Sequence, residues 1–384
     1  MSDRVVITKY RDFMITALIR DDRIWDILAT ASGEKSDFRP GDIVKAKVIS
    51  IQHNLNAAFL LLGSDVKAFM ELKERTDIRP EDEIVVQIVK EAFGEKEMVV
   101  TPAYSVAGKY VALTFGRCGV GVSRRITDEK KDSLKKLLYS RLMTEGRIGA
   151  VVRTNAEEAS ESLILEEFEK LYEEIVNIGK KAEYSVPFIR LYSAPSEISS
   201  YLRDLRTPPD EVVTDDSEVY GTLKDELNSD EELSGRIRLY TDRDYPLIKL
   251  FRLEAAIDEV FKKTVYLDDG GTLVIEKTEA AFIMDVNSGK NTKKLSKDAL
   301  ILETNLEAVR EAARQIRIRN LSGMILIDLI NMTSRSHREE VIGELKSELK
   351  KDRIKTEFID LTGLGIAEIT REKRKLPLAE ILSR

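Results

Sequence analysis

The sequence predicts a multidomain α/β protein, and three observations carry that prediction. With 384 residues, 42% hydrophobic and 34% charged, the chain can build two or more domains with sizeable cores, and its composition is not that of a disordered segment. Between Gly41 and Thr101, short apolar runs separated by polar turns mark a succession of strands. In the last third, two apolar runs, each with one carboxylate set into it, flank a segment of helical periodicity.

Taken from the N-terminus, residues 1 to 34 carry Val5-Val6-Ile7 and the run from Met14 to Ile19, which read as two or three strands, with Trp25 assigned to a core. From Gly41 the candidate strands are Ile43 to Ile51, Ala57 to Gly63, Lys67 to Met70, Glu83 to Lys90 and Glu97 to Thr101. Five such strands suit a small OB-type barrel, a fold that presents aromatic and basic side chains to single-stranded nucleic acid. On pattern alone Phe59 and Phe69 fit the barrel core at least as well, and this stretch alone does not identify an RNA-binding barrel.

Next come Gly116-Arg-Cys-Gly119-Val-Gly121-Val-Ser-Arg124-Arg125 and Gly149-Ala-Val-Val-Arg153-Thr154-Asn155. Glycines let backbone N–H groups approach a phosphate, and arginines offer it a bidentate fork. The pattern alone favours the plainer reading, a glycine turn with surface arginines. Asn155 is the expected N-cap of a helix carrying Leu163, Phe168, Leu171 and Ile175. Beyond it lie a short helix from Ser196 to Leu205 and strands at Glu211 to Thr214 and Arg236 to Tyr240. Asp210, Asp215 and Asp216 read as surface charges.

The last third begins with a hairpin turned by Asp268-Asp-Gly-Gly271. The runs Ala281 to Met284 and Met324 to Ile327 are short, apolar and partly β-branched, which favours buried strands. Between them Leu302, Leu306, Val309, Ala313 and Ile316 recur at alternating spacings of four and three, one apolar helical face. Strand, helix, strand lays two strands parallel in one sheet, and ligands of such sheets gather at the carboxyl ends of the strands. Asp285 and Asp328 both stand there. Either aspartate alone fits a capping role equally well. As a pair, with the Asn287 amide two residues on, they suit a magnesium site of few hard oxygen ligands. Thr333 or Ser334 is expected to cap a following helix, with strands at Glu357 to Asp360 and Ile366 to Thr370 beyond it.

The strings MDVNSGK and ETNLEAVREAARQIRIRNLSGMILIDLINM, with VYLDDGGTLVIEKTEA upstream, closely resemble the catalytic region of the bacterial ribonuclease E/G family. The resemblance implies a ribonuclease-H-like domain (1–34 and 191–260) interrupted by an OB-fold RNA-binding domain (35–102) and a 5′-sensor subdomain (103–190). A deoxyribonuclease-I-like catalytic domain (261–384) follows. It implies that Asp285 and Asp328 hold a catalytic magnesium, or manganese in its place, and that Asn287 orients the first aspartate. It places Phe59, Phe69 and Lys96 along the RNA channel. Gly119, Gly121, Arg124, Arg153 and Thr154 would bind a 5′-monophosphate, and Arg371 and Lys373 would lie near RNA. One departure is Asn331, where the family more often has aspartate.

The implied function is magnesium-dependent endonucleolytic cleavage of single-stranded RNA, favouring 5′-monophosphorylated ends, in RNA processing and decay. The rival classes are a noncatalytic RNA-binding protein and a magnesium phosphodiesterase acting on small molecules, the latter weakened by the barrel and by three basic clusters. These are Arg117 with Arg124 and Arg125, Arg314 with Arg317 and Arg319, and Arg371 with Lys373, Arg374 and Lys375. The net charge of −7 argues only weakly against nucleic-acid binding, because local clustering decides it. Cys118 is the only cysteine, so neither an internal disulfide nor a multi-cysteine zinc site is expected within one chain. The family's CPxCxG zinc-link does not occur within these 384 residues, which read as either a piece of a longer protein or a shorter branch of the family. The resemblance therefore does not extend to a zinc-linked tetramer, and a homodimer through the catalytic domain is the assembly it leaves open. With no apolar run of membrane-spanning length and no secretory signal, a cytoplasmic location is the default.

Overall fold

Alternation of apolar and polar residues decides which strands of this protein are buried on both faces and which on one. The computed structural model describes residues 3–31, 38–63, 65–72, 78–92, 97–142, 147–228, 230–289 and 296–383. The architecture is mixed α/β, with a closed five-strand barrel and three further sheets. Contacts divide the chain into two units: 1–34 with 207–384, and 35–206.

In the first unit, a five-stranded sheet runs in the order Ile237–Leu239, Glu211–Thr214, Asp3–Tyr10, Phe13–Arg20, Arg23–Ala31. Val5, Val6 and Ile7 in one strand and Met14 through Ile19 in the next are buried, as continuous apolar runs require. Asp21 and Asp22 both have positive φ, 46° and 60°, as a two-residue hairpin turn with the sheet's twist demands. Asp210 and Asp215 are exposed, as expected of surface charges, and Asp216 is partly buried, yet all three also hold hydrogen bonds. Asp210 accepts the Asp3 N–H and Asp215 the Thr8 hydroxyl, while Asp216 caps the helix Ser217–Glu226.

The second sheet of this unit runs Thr264–Tyr266, Thr272–Lys277, Ala281–Asn287, Gly323–Asp328, Ile366–Arg371, Thr356–Leu361. Ala281–Asn287 and Gly323–Asp328 are parallel, and the other neighbours are antiparallel. The crossover is the helix Lys297–Ile318, capped by the Ser296 hydroxyl on Ala299 N–H. With the helix Arg335–Lys350, capped by Ser334, it covers one sheet face through Met284, Val286, Ile325, Ile327, Val309, Ala313, Ile316, Val341 and Leu345. The other face is open. Phe282, Met284 and Val286 are buried while Ile283, Asp285 and Asn287 are exposed. The expected strand is thus buried on one face only, and the apolar residue Ile283 faces outward.

The cluster of Arg314, Arg317 and Arg319 turns out to belong inside, as does Arg371 alone of its cluster, whose Lys373 and Arg374 stay exposed. Arg314 holds Glu311, Glu259 and the Ile24 carbonyl. Arg317 stacks 4.0 Å over the Trp25 ring, and Arg319 binds Gln315 and the Glu259 carbonyl. Arg371, expected near RNA, is buried against Asp352 at 2.7 Å and also donates to Asn320 and Leu321. Arg314, Arg319 and Arg371 staple helix ends and strands through these bonds, whereas Arg317 Nε and Nη2 have no hydrogen-bond partner among the described residues and the guanidinium rests on the Trp25 ring.

The second unit contains the barrel, in the order Ile43–Gln52, Ala57–Leu61, Lys67–Glu71, Met98–Thr101, Glu83–Lys90, closed by pairing of the last strand with the first. Its interior is small and aliphatic: Val44, Ala46, Val48, Ala58, Leu60, Ala68, Met70, Val86 and Ile88. This closed barrel fits an OB-fold. A four-stranded sheet, Gly119–Val122, Ile148–Val152, Val111–Phe115, Ser105–Ala107, packs on the helices Asp128–Leu142 and Glu161–Tyr184. The cap of the latter is Ser160, not Asn155. Thr154–Glu157 forms a separate turn of 3-10 helix, and Asn155 donates instead to the Arg203 carbonyl. Residues 191–206 pack with this unit.

Candidate functional site

Parallel register sets the two aspartates side by side. Asp285 pairs with Asp328 across the strands, about 4.8 Å apart at the backbone by ordinary strand spacing. Both lie on the open face, each at or near the end of its strand. The Asn287 side chain, on the same face, donates Nδ2–H to Asp285 Oδ2 at 2.8 Å. One oxygen of Asp285 is therefore fixed in direction. Among the described residues neither carboxylate has a cationic side chain as partner. Lys290, Lys293 and Lys294, next along the chain, lie outside the described residues.

Two adjacent anions without a cation are a costly arrangement in any but a well-hydrated site, and an external cation is the simplest relief. Hard carboxylate oxygens in small number fit a magnesium-type ion that keeps waters for itself. Two protein carboxylates do not by themselves make a full ligand cage, which matches that chemistry.

The loops around the pair are held by one turn of the crossover helix that periodicity alone would have passed over. Thr304 and Asn305 are buried polar residues. Asn305 donates to the Ile330 carbonyl at 2.8 Å and accepts the Ile330 N–H at 3.0 Å. Thr304 donates to Asp269 Oδ2, and Glu307 accepts the N–H groups of Asp268 and Asp269. Burial, the largest cause, and the neighbouring carboxylates push the Glu307 carboxyl up, against the two backbone bonds. A Cβ on Gly289 would run into the Gly270 carbonyl, so the loop after Asn287 lies directly on the hairpin turn. The signal available in the sequence was the polar pair Thr304-Asn305 set beside the apolar stripe.

In the second unit, Phe59 and Phe69 oppose each other across two barrel strands, edge to face at 5.9 Å. Both are half-buried while Ala58, Leu60, Ala68 and Met70 fill the interior. The two rings thus belong to the outer surface and not to the core. Ser50 and Val99 extend the same row. Lys45 and Lys47 nearby are paired with Glu83 and Glu81. Lys96 lies outside the described residues.

Gly119–Val122 runs parallel to Ile148–Val152, bringing Gly121 opposite Val151. The chain then continues into Ser123 and Arg124 on one strand and Arg153 and Thr154 on the other. Ser123 and Thr154 share a hydrogen bond of 2.9 Å between hydroxyls. Gly119 has a φ of +94° and is exposed, and Arg124 is exposed. Gly149 is required for packing: a Cβ there would meet the Arg117 carbonyl oxygen at 3.1 Å. Arg153 is already engaged, with Nη2 on Asp204 at 2.5 Å and Nη1 on the Gly108 carbonyl. Neither Ser123 nor Asp204 was signalled by the sequence motif.

Comparison with known proteins gives one answer throughout. The family model described as "Ribonuclease E/G family" matches residues 105–374. The chain is 30% identical to ribonuclease E of Escherichia coli strain K12, over 95% of this chain and 36% of that protein. It is 30% identical to ribonuclease G of the same strain, over 89% of this chain and 74% of that protein. A putative ribonuclease E of Buchnera aphidicola subsp. Baizongia pistaciae is 29% identical, over 95% of this chain and 93% of that protein. The chain therefore spans little more than a third of the E. coli ribonuclease E it matches.

Proposed function

The chain belongs to the ribonuclease E/G family, whose members are endoribonucleases, and on that premise we propose that it cleaves single-stranded RNA in a magnesium-dependent reaction. The observation that carries the proposal is the pairing of Asp285 with Asp328 on an open sheet face, with Asn287 fixing one carboxylate oxygen. Asp285 and Asp328 would hold the ion. When bound, such an ion offsets charge on a scissile phosphate and acidifies a water. Asn287 keeps Asp285 from rotating, so that its free oxygen stays toward the substrate side. Phe59 and Phe69 offer π-faces on which bases of the single strand stack. Gly121, Arg124 and Thr154 form the receptor for a 5′-monophosphate, with Arg153 joining them when it releases Asp204.

On this reading the six-stranded sheet and its helices are the deoxyribonuclease-I-like catalytic domain, and the sheet of residues 1–34 with 207–260 is the ribonuclease-H-like one. RNA processing and decay in the cytoplasm, by a homodimer joined through the catalytic domain, is the setting the family suggests. Among the described residues no helix is long and apolar enough to cross a membrane.

The test is cleavage of a fluorescent single-stranded RNA bearing a 5′-monophosphate or a 5′-hydroxyl, with magnesium and with EDTA. Magnesium-dependent cutting that is faster on the monophosphate is expected. Binding without cutting under every condition would overturn the enzyme reading in favour of a noncatalytic RNA-binding protein.

A further inference from the structure

The strand that carries Asp328 loses its ladder at that residue. Upstream, Gly323–Asp328 is flanked on both sides by paired strands. Beyond it, Leu329 N–H reaches Gly365 only at 3.4 Å, and Ile330 has no strand partner among the described residues. The backbone of Ile330 is served instead by one side chain, Asn305, whose amide donates to its carbonyl at 2.8 Å and accepts from its N–H at 3.0 Å. That is the two-bond exchange of an antiparallel residue pair, made by a side chain. Asn305 is fully buried, so water cannot take its place without reopening the packing between helix and sheet.

We infer that Asn305 is a positioning residue for Asp328, fixing the chain two residues beyond it so that the carboxylate stays aligned with Asp285. The same helical turn fixes the other side. Thr304 and Glu307 hold the hairpin turn at Asp268 and Asp269, and the loop after Asn287 rests on that turn through Gly270 and Gly289. Both carboxylate strands are thereby referred to one rigid element. Oxygen ligands of a small, strongly hydrated cation tolerate little displacement, and the groups behind such ligands set affinity. This inference rests on the reading of Asp285 and Asp328 as a cation site.

Manganese binding to the full chain, measured by isothermal titration and by the loss of free-ion paramagnetic signal, tests it apart from activity. Four proteins are compared: wild type, Asp285→Asn, Asn305→Ala, and Ile316→Ala as a control that loosens the packing of the same helix without removing a hydrogen bond to Ile330. The expected result is wild-type binding that Asp285→Asn abolishes, and binding weakened about tenfold by Asn305→Ala. Ile316→Ala, at an equal or larger drop in melting temperature, should stay within about twofold of wild type, since it removes only packing. Wild-type affinity in folded Asn305→Ala overturns the inference and leaves the cation site standing, as does an equal loss in Ile316→Ala. If wild type shows no binding that Asp285→Asn removes, the cation site fails and the inference with it. Should Asn305→Ala not fold, Asn305→Asp, of equal size and still able to accept the Ile330 N–H, takes its place: weakened binding supports the inference, and wild-type affinity overturns it.

Discussion

The carboxylates at the ends of the parallel strands and the arginine beside the glycine strand are opposite solutions to placing charge. Asp285 and Asp328 stand together with no cationic side chain among the described residues to balance them. Arg153 is balanced already, held by Asp204 and by the Gly108 carbonyl. A site of the first kind gains by taking a ligand without giving up an internal bond. A site of the second kind must exchange one partner for another, so its ligand affinity is a difference between two ion pairs. Arg371 with Asp352 marks the limit of the second kind, a pair so enclosed that it serves the fold alone.

The largest effect that bears on this contrast is expected at the unbalanced pair. Asp285→Asn or Asp328→Asn should lower RNA cleavage by about a thousandfold, the equivalent of several kcal/mol of charge stabilisation, with RNA binding unchanged in a filter assay. Retained cleavage would remove the pair from the chemistry.

The enclosed pair should show itself in stability. Arg371→Met leaves Asp352 buried without its cation, and urea denaturation should register a loss of about 3–5 kcal/mol at neutral pH. Burial raises the Asp352 pKa, but the Arg371 charge and the hydrogen bonds from Arg371, Ile354 and Thr356 outweigh it and hold the carboxyl below its usual range. A depressed folded pKa means that its contribution is complete above the unfolded value, about 4, and disappears as pH falls through the folded one. The wild-type contribution should accordingly hold from neutral pH to about 5 and be lost below about 4. In the variant burial is no longer opposed by Arg371, so the difference between the two narrows as soon as the buried Asp352 takes up a proton.

A smaller effect is expected where the two loops meet. Gly289→Ala drives a methyl group into the Gly270 backbone, at a cost of about 1–3 kcal/mol, and should displace the loop that follows Asp285. Thermal melts and cleavage rates measured together should fall in step, and an unperturbed rate would show that this loop does not position the carboxylate.

The smallest is expected at the exchange site. Asp204→Asn removes the competitor for Arg153, whose pairing, partly exposed, is worth about 1 kcal/mol. The ratio of cleavage rates on 5′-monophosphate and 5′-hydroxyl RNA should rise about fivefold. No change in that ratio would separate Arg153 from phosphate recognition and erase the comparison between the two sites.

The sequence by itself determined the barrel strands and the strand, helix, strand unit around the aspartates, because their causes are local. The five barrel strands fall within a residue or two of the apolar runs that mark them, from Ile43–Gln52 to Met98–Thr101. The crossover helix follows from the spacing of Leu302, Leu306, Val309, Ala313 and Ile316, and Ser334 caps the next helix as its position before an apolar-periodic segment requires. The adjacency of Asp285 and Asp328 was also legible, since a strand, helix, strand order leaves parallel neighbours little choice. Which face each strand buries was not, because a run such as Ala281 to Met284 fits a two-sided core or a one-sided sheet until the helices that cover it are counted. Only the tertiary structure put Phe59 and Phe69 outside the barrel, because small aliphatic residues from neighbouring strands had already filled the interior. It alone turned Arg314, Arg317, Arg319 and Arg371 inward, since their carboxylate, carbonyl and aromatic partners come from segments far away along the chain. Periodicity records how a residue sits on its own helix or strand; the identity of the group across from it is fixed only when distant segments meet.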